Sequence, residues 1–269
     1  MDVPRPLVWF VIGWLITRCP ASSQALSVEP TVVELRAAAG ASATGVFHVF
    51  NDAETPATIL VEPQPISTTS YGRRPPTDWL TLSPSTLTLA PKQRGEVSYR
   101  VHVPSDTNGE LAAEVVFVQN LSGTAGNGVQ VRFGMAMYVS VAGTERLQLL
   151  AEPLRLQTGH PPSVLIPIAN QGNVHCRPEG SVIVIGDKGE TLAHGMLGRG
   201  MPAPPGQTAH FTAPLSEADL PPGTYRLQLD LECHATADLP ARWAIEQTGR
   251  LDETGQWIPA SDAATIRDP

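Results

Sequence analysis

The chain has 269 residues and a formal net charge of −8. That acidic balance, with no run of basic residues, argues against a nucleic-acid partner. Charged residues make up 16% of it, against roughly 25% in an average globular protein. Its 23 glycines and 26 prolines suit short strands joined by many turns.

The N-terminus reads MDVPRPLVWFVIGWLITRCPASSQA, with a basic residue at Arg5, an apolar run from Leu7 to Ile16, and small residues at Ser23 and Ala25. This is the pattern of a secretory signal peptide, and the run is too short to span a bilayer. Residues 1–25 are therefore expected to be removed after Ala25, with Cys19 among them. The remainder is expected to be soluble and periplasmic or otherwise exported.

Beyond Ala25, apolar residues alternate or form short runs between Pro, Gly and Asn clusters. The spacing predicts an all-β chain. The first set of strands is Leu26–Leu35, Gly45–Asn51, Ala57–Val61, Trp79–Leu82, Thr86–Leu89, Glu96–Val103, Leu111–Gln119 and Val129–Val141. The second is Leu147–Gln157, Ser163–Ala169, Ser181–Ile185, Gln207–Ala213, Tyr225–Cys233 and Arg242–Gln247. Each set fits one immunoglobulin-like β-sandwich. The expected division is residues 26–142, residues 143–250 and a C-terminal tail, 251–269. The halves share local logic, because NDAETP and NQGN are both Asn-led turns after an apolar strand.

Within Val129–Val141 the odd-numbered residues Val129, Val131, Phe133, Met135, Met137, Val139 and Val141 form an unbroken apolar row. Such a strand is about 40 Å long, well beyond the usual length, so it outruns the core of one domain. Half-buried strands alternate routinely, so a core-facing role for each residue stands beside a partner-binding one. Exposed strand edges invite pairing with another chain.

This stretch, with the opening LSVEPTVVELRAAAGASATGVFHVFN and the turn LTLAPKQRGEVSYRVHVP, resembles the periplasmic pilus-assembly chaperones of the PapD-like type. The likeness covers residues 26 to 142 well and the second half in outline. It implies two immunoglobulin-like domains and a long strand that lends its apolar row to an exported, pilin-like subunit by strand addition, with an outer-membrane usher as a second partner. On that reading Val129, Val131, Phe133, Met135, Met137 and Val139 bind the partner. The family holds its client's terminal carboxylate with two basic residues, and here the matching places carry Val32 and a residue of the Met135–Met137 stretch. Arg36 and Arg132 lie nearby on the same strands. The alternative is a structural or adhesive cell-surface module built of tandem sandwiches.

His175-Cys176 is mirrored by Cys233-His234. If Cys176 opens one strand and Cys233 closes its antiparallel neighbour, the cysteines can face each other, and His175 would then pair with His234 on the opposite face. An exported compartment favours a Cys176–Cys233 disulfide. Free thiols, or a metal site of His175, Cys176, Cys233 and His234, are the other readings.

His48, His102, His160, His194 and His210 are scattered, and the chain has no G-x-S-x-G elbow, phosphate loop or His-Glu-x-x-His pair. A non-enzymatic protein with no cofactor is expected.

Overall fold

A computed structural model describes residues 26–66, 74–121, 129–216, 219–234, 240–261 and 265–267. The expected signal peptide lies outside the described residues. The fold is all-β, two tandem immunoglobulin-like sandwiches, each with its own apolar core.

The first sandwich contains β1 (Leu26–Glu29), β2 (Val32–Ala37), β3 (Ser42–Asn51), β4 (Ala57–Pro65), β5 (Leu80–Ser83), β6 (Thr86–Leu89), β7 (Arg94–His102), β8 (Glu110–Leu121) and β9 (Val129–Val141). One sheet runs β1-β3-β7-β5 and the other β2-β9-β8-β4-β6. Between them Phe47, Phe117, Ile59, Leu89 and Met137 are fully buried. The expected strand Leu26–Leu35 is two strands in different sheets. Pro30 has no N–H for a ladder, and the inward parity changes across it, from Leu26 and Val28 to Val33.

The second sandwich contains β10 (Leu149–Ala151), β11 (Arg155–Gln157), β12 (Ser163–Asn170), β13 (Arg177–Ile185), β14 (Thr191–Leu197), β15 (Gln207–Pro214), β16 (Gly223–His234), β17 (Pro240–Leu251), β18 (Trp257–Pro259) and β19 (Thr265–Arg267). β12 lies between β15 and the pair β10 and β11; the facing sheet runs β14-β13-β16-β17-β18, with β19 also on β17. Residues 251–269, expected as a tail, thus supply two short strands to the sheet. Tyr225, near the start of β16, donates its hydroxyl to the Pro221 carbonyl, the corner that immunoglobulin-like sandwiches use at this strand.

Strand β14 was not expected, and its parity explains why. Its inward residues are Ala193, Gly195 and Leu197, whereas Leu192 and Met196 point outward. The outer face is the more apolar one, so alternation does not report burial there.

Candidate functional site

Strand β9 is antiparallel to β8 along its whole length, Val129 opposite Leu121 and Ser140 opposite Glu110. The apolar row sinks as the strand advances. Val129 is 57% exposed, Val131 and Phe133 are half-buried, and Met135, Met137, Val139 and Val141 are buried in the first core. Phe133 packs against the edge of that core. The row read from the sequence as one surface is therefore divided, with its C-terminal part filling its own sandwich.

Parallel strand β2 covers the other edge of β9, but only from Val32 opposite Ala136 to Ala37 opposite Val141. The Ala136 N–H donates to Thr31 O and the Ala142 N–H to Ala37 O, whereas the Val141 N–H donates to Gly109 O on the β8 side. Even-numbered residues thus direct their backbone groups away from β8, since these alternate along a strand. Ahead of Ala136 the same alternation aims the N–H and C=O groups of Gln130, Arg132 and Gly134 at an edge with no strand among the described residues. Their side chains lie back across the sheet. Gln130 Nε2 donates to Asn120 Oδ1, and Arg132 Nη2 to Gln64 Oε1 at 3.1 Å. Gly134 leaves room for Glu114, whose Oε1 would lie 1.7 Å from any Cβ added there.

The basic residues near these strands have local partners. Arg36 Nε meets Glu145 Oε1 at 2.6 Å, and Arg132 adds a looser contact with Glu62. Val32 is 37% exposed beside Ala136.

Sequence reasoning missed a polar cluster where the sandwiches meet. His175 precedes β13 and reaches into the first sandwich, its backbone N–H on Glu110 Oε1 and its Nδ1 2.7 Å from Glu110 Oε2. Its Nε2 lies 3.3 Å from Glu34 Oε1. The ring stacks on Tyr138 of β9 at 4.0 Å, and Arg177 covers the Tyr138 ring while its Nε bonds Glu34 at 2.9 Å. Buried Ser140 donates to Glu110 Oε2 rather than to His175, so the imidazole does not activate that hydroxyl. The bond to His175 is the leading cause of a Glu34 carboxyl held down to about 2; burial opposes it and Arg177 assists. The signal in the sequence was Glu34, a lone acid in VVELRA.

Cys176 and Cys233 form a disulfide, both wholly buried, with Cα atoms 5.8 Å apart. The register corrects the expected histidine pairing: Cys233 stands opposite Pro178 and His234 opposite Arg177, so His175 does not pair with His234. Cys176 instead bridges to Ala203. With the sulfurs bonded to each other and both His175 nitrogens on carboxylates, the four-residue metal alternative does not assemble.

No protein-family model matches the chain, and no curated protein matches it. Solved structures do. The class 5 fimbriae chaperone CfaA is similar at 12% identity and a TM-score of 0.46, covering 91% of this chain and 100% of that one. The YadV chaperone is similar at 10% identity and a TM-score of 0.46, covering 84% and 99%. The Salmonella enterica SafA pilin–SafB chaperone complex contains a chain similar at 13% identity and a TM-score of 0.45, covering 81% and 95%. Fimbrial chaperones recur among the solved structures similar to this chain.

Proposed function

We propose that the protein is an exported, non-catalytic chaperone that captures partner proteins by strand addition at the open edge of β9. The observation that carries this reading is the stretch Val129–Met135, where a row of backbone donors and acceptors that no strand covers among the described residues runs beside an apolar row that is still partly exposed. An extended segment laid there would complete the hydrogen-bond ladder, and its alternate side chains would meet Val129, Val131 and Phe133. Met135, Met137 and Val139 would support that surface from the core. The partner is then an exported, pilin-like subunit that lacks a strand, with an outer-membrane usher as a further partner. The units of the chain are residues 26–142 and a second sandwich that begins at residue 143 and takes in the strands within residues 251–267, after a cleaved signal peptide of residues 1–25. A structural or adhesive module is the second reading, favoured by Val32 and the uncharged Met135–Met137 stretch standing where a basic pair would hold a partner's carboxylate.

Arg132→Pro tests the proposal. The Arg132 N–H points to the open edge, so proline there removes a donor for the partner and no bond to β8. The variant is expected to fold and to lose capture of the exported partner in a pull-down from the host. Undiminished capture by the folded variant would favour the module.

A further inference from the structure

We infer that His175 is a protonation-controlled latch between the two sandwiches: as an imidazolium it ties the second sandwich to β2 and β8 of the first, and as a neutral ring it holds that junction less tightly. The inference concerns the junction alone and does not rest on β9 as a partner site.

An imidazole can donate from both nitrogens only when protonated. Here both nitrogens face carboxylates, Nδ1 that of Glu110 and Nε2 that of Glu34, with a His175 side chain 2% exposed. The neutral tautomer that keeps the shorter bond to Glu110 turns the Nε2 lone pair toward Glu34 Oε1, acceptor against acceptor. Water has little access to repair that contact.

The groups facing the ring come from every element packed on it. Glu34 belongs to β2 and Glu110 to β8; Tyr138, whose phenol burial pushes up, and Ser140 belong to β9. Arg177 of β13 reaches Glu34, and Arg199, beyond β14, lies 3.9 Å from it. The guanidiniums serve Glu34 and do not contact the imidazole through a hydrogen bond. Burial is the largest single influence on His175 and pushes its pKa down, but the bonds and charges of Glu110 and Glu34 outweigh it and raise it above 6.5. A raised pKa contributes stability that is fully present below the unfolded value of 6.5 and is lost as pH rises through the folded value. Glu34 stays ionised throughout that window.

The test follows the His175 ring by NMR from about pH 5 to about pH 9 in the full chain. It also compares thermal melts of the wild type and His175→Gln, which keeps a donor for one carboxylate but cannot become charged. The His175 midpoint is expected above 6.5. The gap in melting temperature between wild type and His175→Gln should be widest near pH 6 and close toward pH 9. Glu34→Gln should lower the midpoint by at least about half a unit, having removed one of the two opposing charges. A midpoint at or below 6.5, or a melting gap independent of pH, would overturn the latch. If His175→Gln does not fold, the midpoints of the wild type and Glu34→Gln decide alone.

Discussion

The backbone N–H of Ala136 donates to the carbonyl of Thr31 at 3.3 Å, and with that bond the cover that β2 gives to β9 begins. Everything proposed for β9 lies on the uncovered side of this point. Amides of Gln130, Arg132 and Gly134 are expected to exchange rapidly with solvent, while those of Ala136, Tyr138 and Ser140 are protected, because local openness follows missing ladder bonds. Hydrogen exchange read by NMR separates the two groups. Equal protection at Arg132 and Tyr138 in the isolated chain would mean that another segment covers the edge.

The division of the apolar row makes a second prediction. Met137 is wholly buried and Met135 nearly so. Replacing both with Asp should unfold the first sandwich, since each buried, unpaired charge costs several kcal/mol. Val129→Asp lies on the exposed end of the same row and should change stability by no more than about 0.5 kcal/mol. Thermal melts of the two variants check this. A folded Met135→Asp/Met137→Asp protein would place the methionines outside the core.

Much of the first sandwich was legible because inward and outward residues differ in polarity on most strands. Thr86–Leu89 and Val129–Val141 have the bounds that alternation suggested. Strand β14 was hidden by Gly195 and Ala193 on its inner face, and β18 and β19 by their brevity. The length of β9 was legible, but the depth of each residue was not, because depth depends on where along β9 the cover of β2 begins. The junction cluster was hidden for a related reason: Glu34, Glu110 and His175 are 141 residues apart at the extremes, and only packing brings them together.

The disulfide should be a main support of the second sandwich. It spans a sequence separation of 57 residues between two wholly buried half-cystines. In the chain-entropy estimate a loop of that size contributes about 4 kcal/mol, so Cys233→Ser should lower the denaturant midpoint markedly. The intact mass of the oxidised protein should fall short of the dithiol by two hydrogens, and alkylation should label neither cysteine before unfolding. Labelling of native, oxidised protein at Cys176 would contradict the bond.

Glu34 carries an acid-side signature of its own. Its folded pKa, about 2, lies below the ordinary 4.5, so its contribution is present above pH 4.5 and is lost as pH falls toward 2. The side chain is 38% exposed, so screening limits the effect to roughly 1 kcal/mol. Glu34→Gln should destabilise at neutral pH and match the wild type at about pH 2. Denaturant titrations of both proteins along the pH scale check the convergence.

The two Asn-led turns offer the last prediction. Asn51 ends β3 and Asn170 ends β12, and each is only 1% exposed. Asn51 Nδ2 donates to the carbonyls of Thr55, Leu89 and Ala90, and its Oδ1 accepts the Ala53 N–H. Asn170 does the same in the second sandwich, Nδ2 to the carbonyls of Val174 and Ala203 and Oδ1 from the Gly172 N–H. In both, one amide closes the turn two residues on and ties it to a distant segment, Leu89-Ala90 in one case and Ala203 in the other. An aspartate cannot substitute, because an ionised carboxylate only accepts and would face two or three carbonyl oxygens. Asn51→Ala and Asn170→Ala should each cost about 1–3 kcal/mol by leaving buried carbonyls unpaired, and the Asp variants should cost more. Chemical denaturation of the four variants measures the order. Aspartate tolerated as well as alanine at either site would mean that the turn is held by its backbone, not by the side-chain amide.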